Sequence, residues 1–294
     1  MFNKKSSINK SVFILTTKQK KQKMEDAIQS FVEANKPFLY ILTPCYGDMC
    51  HVNYTSCILG TVQLLNQYKI RHQVTFCRND SLVPRARNNL IAKAMSDPEM
   101  THMIFIDSDI TWKPVDIIRL LLNDKMIIGG IYPLKKIHLD RFKTKETWES
   151  CEAKRAKYSH LQSISDETLM EYHACNYNFN AISEKVEVKN GLIPVKHLAT
   201  GFMMIKRKTI EYMQQAFPST HYTDDISFLK PEENKHAYAL FDCTVKDGHY
   251  LSEDWLFSQR WINMGGTIYA NIGIDLTHTG IYDFKGSFQT TFLP

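Results

Sequence analysis

From Lys36 onward, short apolar runs alternate with stretches of helical composition. Phe38 to Leu42 is a compact apolar run closed by Thr43-Pro44, which predicts a buried strand. Ile58, Leu59, Val62 and Leu65 fall on one helical face. Gln73 to Cys77 predicts a second strand, Leu82 to Met95 a helix, and Met103 to Ile106 a third strand that stops at Asp107. Pro114 to Leu122 predicts a helix with Pro in its first turn and Ile117, Ile118, Leu121 and Leu122 inward. Met126 to Ile131 predicts a fourth strand. Strand and helix alternating at this spacing predict βαβ units, hence an α/β fold with a mostly parallel sheet flanked by helices.

The pattern then weakens. Residues 135–190 are polar and charged, with few strand signals and no strong helix face, which predicts an insertion or a lid over one end of the sheet. Order resumes at Leu192. His197 to Ile205 reads as one strand with Gly201 inside it, Lys208 to Gln215 as a helix, and Ala237 to Phe241 as a strand. Ser252 to Met264 reads as a helix ended by Gly265-Gly266. Thr267 to Ile272 and Asp275 to Thr279 read as short strands.

Composition adds limits. The chain has 294 residues, 44% hydrophobic and 23% charged. These are values of a globular protein with a sizeable core, and they exclude disordered, collagenous and coiled-coil classes. The long charge-free stretch Met49 to Tyr68 carries His, Asn and Gln, so it predicts no bilayer span. The net charge is +5; of the 36 basic residues only 9 are Arg, leaving 27 Lys. Many of those Lys crowd the first 23 residues. The balance predicts a basic mobile tail over residues 1–35 rather than a nucleic-acid surface. Seven cysteines in no framework predict a reducing, cytoplasmic compartment. Cys45, Cys50, His51 and Cys57 lack a CxxC pair, so buried free thiols are preferred to structural zinc.

The main chemical signal is Ile104-Phe-Ile-Asp107-Ser-Asp109, an apolar strand running into two carboxylates one residue apart. Ligands of open α/β sheets bind beyond the carboxyl ends of strands. A hard divalent ion takes such oxygens together with substrate phosphates. A strand-end turn with solvated acids explains the same residues. Downstream, Ser252-Glu253-Asp254 opens a helix. Ser252 can cap it, and acids suit the first turn; the alternative is a general base aimed at a hydroxyl. His278 on a short strand is either packed or a third metal ligand. Asp80 sits at the same sheet edge, and Arg85 and Arg87 follow on the next helix; each is either solvated or faces a nucleotide.

The order of these pieces carries a resemblance. Thr43-Pro44, Arg87-Asn88, His102-Met-Ile-Phe-Ile-Asp-Ser-Asp109, Gly129-Gly-Ile-Tyr-Pro133, Ala199-Thr-Gly-Phe-Met203, Ser252-Glu-Asp-Trp-Leu-Phe257 and His278-x-Gly280 together resemble GT-A fold glycosyltransferases. The likeness is to the family 2-like branch of bacteria, phages and large DNA viruses, and it spans roughly residues 37–286. It implies a Rossmann-like GT-A domain over residues 36–286. Its nucleotide-sugar half would be 36–134, its insertion 135–190 and its acceptor half 191–286, with 287–294 a C-terminal tail. It implies metal-dependent transfer of a sugar from a nucleotide-diphosphate sugar, UDP-linked by preference, to a glycan or protein hydroxyl. Asp107 would face the ribose and the metal, Asp109 would hold Mn²⁺ or Mg²⁺, and His278 would complete the metal site. Thr43, Asp80 and Arg87 would line the nucleotide pocket. Asp254 would be the base, with Glu253 beside it, giving inversion; retaining relatives share the Asp-x-Asp. A viral source would put the protein in the host cytoplasm. Two other readings remain: a nucleotidyltransferase that makes sugar nucleotides, and a retired glycan- or nucleotide-binding module.

Overall fold

The structure is a computed structural model and describes residues 17–142, 144–158, 161–182 and 187–292. Its strands are β1 (Phe38–Cys45), β2 (Arg71–Arg78), β3 (His102–Ile106), β4 (Ile110–Thr111), β5 (Ile127–Gly129), β6 (Pro133–Ile137), β7 (Cys175–Tyr177), β8 (Phe179–Ala181), β9 (Leu192–Leu198), β10 (Phe202–Lys206), β11 (Thr244–Lys246), β12 (His249–Leu251), β13 (Ile268–Asn271), β14 (Thr277–Thr279) and β15 (Asp283–Lys285). The helices are α1 (Thr17–Asn35), α2 (Val52–Gln67), α3 (Val83–Met95), α4 (Pro114–Asn123), α5 (Leu139–Phe142), α6 (Lys145–Lys157), α7 (Asp166–Ala174), α8 (Arg207–Ala216), α9 (Glu253–Asn263) and α10 (Phe288–Phe292).

Eight strands form the central sheet in the order β2-β1-β3-β10-β5-β13-β9-β8. Six run one way; β9 and β10 run against them. Helices cover both faces, so β1 and β3 are buried on both sides and read as unbroken apolar runs. Alternate residues feed two cores. Leu39 and Ile41 join Tyr54, Leu65 and Ile117 on one face. Tyr40 and Leu42 join Leu90, Ile91 and Phe257 on the other. The fold is α/β with a large, mostly parallel sheet.

Several expectations need correction. Residues 17–35 are not a mobile tail: they form α1, because Met24, Ile28, Phe31 and Val32 recur at helical spacing and Ile28 is buried. The preceding residues of that expected tail, 1–16, lie outside the described residues. The C-terminal tail is likewise structured to 292. Phe288 is buried, with its ring 4.8 Å from that of Phe179. Residues 135–190 carry α5, α6 and α7 and a small core of Cys151, Leu169 and Met170. That core is supplied by only a few apolar side chains, too sparse to give a visible period. The run His197 to Ile205 breaks into β9 and β10 at Ala199–Gly201, so the chain reverses where one strand was expected. Ala237 to Phe241 forms no strand of a sheet: it makes one isolated antiparallel bridge, Tyr238 to His221, and packs through Ala237, Leu240 and Phe241. On α2 the buried positions are Tyr54, Cys57, Ile58, Thr61 and Leu65, and Leu59 points outward.

A three-stranded sheet, β15-β14-β4, stands beyond the end of β3. Its β14 pairs antiparallel with β4, placing His278 opposite Ile110. That register is what brings a C-terminal histidine to the Asp107–Asp109 turn. Among the described residues no helix is long and apolar enough to cross a membrane.

Candidate active site

Four backbone hydrogen bonds tie down the turn after β3. The Asp107 amide donates to the Gly201 carbonyl at 3.0 Å, and the Ile110 amide to the Asp107 carbonyl at 3.0 Å. The His51 amide donates to Ser108 at 3.0 Å, and the Thr279 amide to Asp109 at 2.8 Å. The turn's own bond and three other segments, at His51, Gly201 and Thr279, therefore fix where the two carboxylates start.

Asp107 turns to Arg87. The Arg87 Nη2 lies 3.0 Å from Oδ1 and 3.3 Å from Oδ2. Arg87 is buried, with its guanidinium 5.4 Å from the Phe105 ring centroid. Its Nε faces the Glu253 carboxylate at 3.5 Å. Burial would lower the Arg87 pKa; the Asp107 and Glu253 charges outweigh it and hold the group above its ordinary value. One buried cation thus joins the strand-end acid to the start of α9. Gly201 makes room for this: a Cβ there would stand 2.7 Å from the Tyr132 hydroxyl and 3.0 Å from Asp107 Oδ2. Burial, then the Asp107 charge, pushes the Tyr132 phenol up; Arg87 opposes them and Asp254 adds to the rise.

Asp109 turns the other way. Its Oδ2 accepts from Lys135 Nζ at 2.6 Å and lies 3.4 Å from His278 Nε2. Burial would raise this carboxyl; His278 in its protonated form, donating from Nε2, and the Lys135 ammonium hold it down at about 2. His278 Nδ1 is 3.0 Å from the Pro133 carbonyl oxygen, which can only accept, so that nitrogen carries the hydrogen. In the neutral ring Nε2 then aims a lone pair at a carboxylate. Two acceptors facing each other fit a shared cation, and a second-shell carbonyl fixing the far nitrogen is how metal-ligating histidines are oriented.

At α9, Ser252 stands at the N-cap position, yet its hydroxyl donates to Asp254 Oδ1 rather than accepting from a helix amide. The Trp255 amide donates to the same oxygen at 2.9 Å. Among the described residues, Oδ2 of Asp254 has no hydrogen-bond partner. Trp255 stacks on His197 with centroids 3.7 Å apart. Beside them lies a cavity of about 550 Å³ lined by His197, Lys246, Tyr250, Trp255, Gln259 and Asn263.

The expected nucleotide-pocket residues divide. Asp80 sits at the sheet edge, but Arg85 grips it through Nε at 2.9 Å and Nη2 at 2.8 Å, and the Leu82 amide donates to it at 2.9 Å. It shapes the start of α3. Thr43 does not reach a pocket: it is fully buried and its hydroxyl is 2.6 Å from the Tyr54 hydroxyl. Arg87 is buried on Asp107 instead of standing free for phosphate. Asp107, expected as a metal ligand, faces Arg87, while Asp109 and His278 face each other. Among the described residues no group of three or more His, Cys, Asp or Glu side chains is gathered as a metal cage. A divalent ion that keeps water and substrate phosphate oxygens needs only one or two protein carboxylates, so Asp109 and His278 fit such an ion.

Buried polar atoms without a partner concentrate along this seam. Among the described residues seven such side-chain atoms lack a hydrogen bond, and Arg87 Nη1, Thr200 Oγ1 and His197 Nδ1 are three of them; Arg87 Nε, a fourth, faces Glu253 as an ion pair. Sequence reasoning missed Lys135 and the place of Tyr132. Both follow Gly129-Gly130, and the alternation from Pro133 puts Lys135 on the same side of β6.

No family model and no curated protein matches the chain. Among solved structures, the crystal structure of A197 from STIV aligns over 83% of this chain and 86% of that chain, with a TM-score of 0.42 and 13% sequence identity.

Proposed function

We propose that the protein is a metal-dependent glycosyltransferase of the GT-A kind. It would move a sugar from a nucleotide-diphosphate sugar to an acceptor hydroxyl. The observation that carries this reading is the convergence of six residues from four separate stretches of the sequence. Asp107 and Glu253 share Arg87, Asp109 meets His278, and Asp254 follows Glu253 at the same helix start. All stand beyond the end of β3, where open α/β sheets bind ligands.

Within this reading each residue has a distinct task. Asp109 and His278 would hold Mn²⁺ or Mg²⁺, which when bound supplies Lewis-acid stabilisation of the leaving nucleoside diphosphate. Arg87 fixes Asp107 at the donor and Glu253 at the α9 start, so the two halves of the site keep one spacing. Asp254 presents Oδ2 as proton acceptor for the attacking hydroxyl, while Ser252 and the Trp255 amide lock Oδ1. The cavity lined by Tyr250 and by Trp255, the residue after Asp254, offers aromatic faces and amide groups, which would suit a sugar acceptor.

The test is release of nucleoside diphosphate from a panel of UDP-, GDP- and dTDP-sugars with Mn²⁺. Release from at least one donor, lost in Asp109→Ala, is the expected result. A nucleotidyltransferase would instead form sugar nucleotide and pyrophosphate from a nucleoside triphosphate and a sugar phosphate.

A further inference from the structure

The least expected contact at the site is Lys135. Nothing in the sequence marked it, yet its ammonium is as close to Asp109 as any group recorded there, at 2.6 Å. Its side chain is 38% exposed, so it is not trapped. Its stem nevertheless has a prepared path. A Cβ at Gly280 would stand 3.2 Å from Lys135 Cδ and 3.6 Å from Cε, so the missing side chain leaves the groove along which the lysine runs. Gly280 belongs to the strand end that carries His278. The carboxylate, the imidazole and the lysine path are thus built from β6, β14 and the turn after β3.

A divalent ion on Asp109 would meet the ammonium on its own ligand. Two cations on one oxygen repel, and the carboxylate has one charge to share. His278 Nε2, 3.4 Å from the same oxygen, offers a lone pair to a metal and nothing to an ammonium that is already bonded. We infer that Lys135 is the resident counter-cation of the Asp109–His278 pair, displaced along the Gly280 groove when a divalent ion binds, and then engaged with a diphosphate oxygen of the donor. The inference rests on the metal reading of this site. It gives metal and nucleotide a linked order. A lysine parked on Asp109 weakens metal binding alone. The same lysine, released, strengthens nucleotide binding once metal is present. The coupling is reciprocal, as linkage requires.

The experiment compares the full chain with Lys135→Met, reading Mn²⁺ binding by electron paramagnetic resonance without nucleotide, then UDP binding by calorimetry at saturating Mn²⁺. Lys135→Gln repeats both arms with a polar side chain, and Asp109→Asn is the control for the metal signal. The variant should bind Mn²⁺ about three- to tenfold tighter, the worth of an exposed ion pair plus residual repulsion. It should bind UDP with Mn²⁺ about three- to tenfold more weakly, from the loss of one charge-assisted contact. This reversal of sign between the two arms is the signature; lost folding or lost packing would weaken both. Unchanged or weaker Mn²⁺ affinity in Lys135→Met overturns the inference while leaving the metal reading intact. Unchanged UDP affinity overturns the diphosphate contact. If neither protein takes Mn²⁺, yet the wild type binds UDP and Lys135→Met does not, the lysine is a permanent cation and both the inference and the metal reading fall. If neither ligand binds either protein, the glycosyltransferase reading itself falls.

Discussion

Asp107 and Asp109 are two residues apart on one pinned turn, and their surroundings are opposite. Asp107 is paired with Arg87, whose side chain is 5% exposed and also faces Glu253. Asp109 is paired with Lys135, whose side chain is 38% exposed and lies in an open groove. The buried guanidinium cannot leave without stranding two carboxylates. The lysine can leave, because water and salt replace its contact at little cost. One strand-end motif therefore splits into a fixed anchor, which sets the distance between β3 and α9, and an exchangeable position suited to a ligand. An Asp-x-Asp read only as two equivalent ligands hides this division.

The comparison breaks most easily at Arg87. Arg87→Met keeps length and removes the charge, leaving Asp107 and Glu253 unpaired; it should cost about 3–5 kcal/mol of stability in urea denaturation. A loss below about 1 kcal/mol would make the anchor no firmer than the lysine. Asp254→Asn should leave folding nearly unchanged, within about 1 kcal/mol, while transfer falls roughly 10²- to 10⁴-fold. A normal transfer rate with slightly earlier melting would reduce Asp254 to a helix-start acid. Glu253→Gln is its companion: it touches Arg87 rather than the acceptor side, so its first effect should be on stability.

Acid sharpens the comparison further. Burial lowers both His102 and His197 to about 4. Their folded values lie below the ordinary 6.5, so the unfolded chain binds protons first as pH falls. Stability should decline from about pH 6.5 and level off near pH 4, by up to about 3 kcal/mol for each residue. Asp109, held at about 2, stays ionised through this window. Urea midpoints against pH should therefore show the core weakening while the Asp109–Lys135 pair persists. His102→Gln should flatten part of the slope; an unchanged slope would place the acid sensitivity elsewhere. The smallest effect belongs to Lys135→Met, which should shift folding by less than about 1 kcal/mol.

Much of the first half was legible because its strands are buried on both faces. Phe38 to Leu42 and Met103 to Ile106 carry unbroken apolar runs, and proline marks the start of α4. Asp107, Asp109, Glu253, Asp254 and His278 were legible only as candidates, through the order of the motifs around them, since a strand end and a helix start each accommodate acids for structural reasons. What failed has a common cause: the deciding contact was long-range. Gly201 sits at a reversal because it must clear Tyr132 and Asp107, which the local sequence does not state. Thr43 looked available and is consumed by Tyr54. Arg87 looked like a phosphate ligand and is consumed by Asp107 and Glu253. Lys135 opens a polar segment with no period, and only the pairing of β14 with β4 brings Asp109 and His278 to it. The α1 helix was hidden by its lysines, which mask the spacing of Met24, Ile28, Phe31 and Val32.

The central claim is that Asp109 anchors metal-assisted binding of a sugar nucleotide. The most direct measurement is the melting temperature of the full chain with UDP-, GDP- and dTDP-sugars, each with and without Mn²⁺, beside Asp109→Ala. A ligand that binds the native state raises its apparent stability. The account predicts a rise for at least one sugar nucleotide, larger with Mn²⁺ than without, and no Mn²⁺-dependent part in Asp109→Ala although that variant folds. A wild type that no sugar nucleotide stabilises, or an Asp109→Ala variant stabilised to the same degree with Mn²⁺, would contradict it.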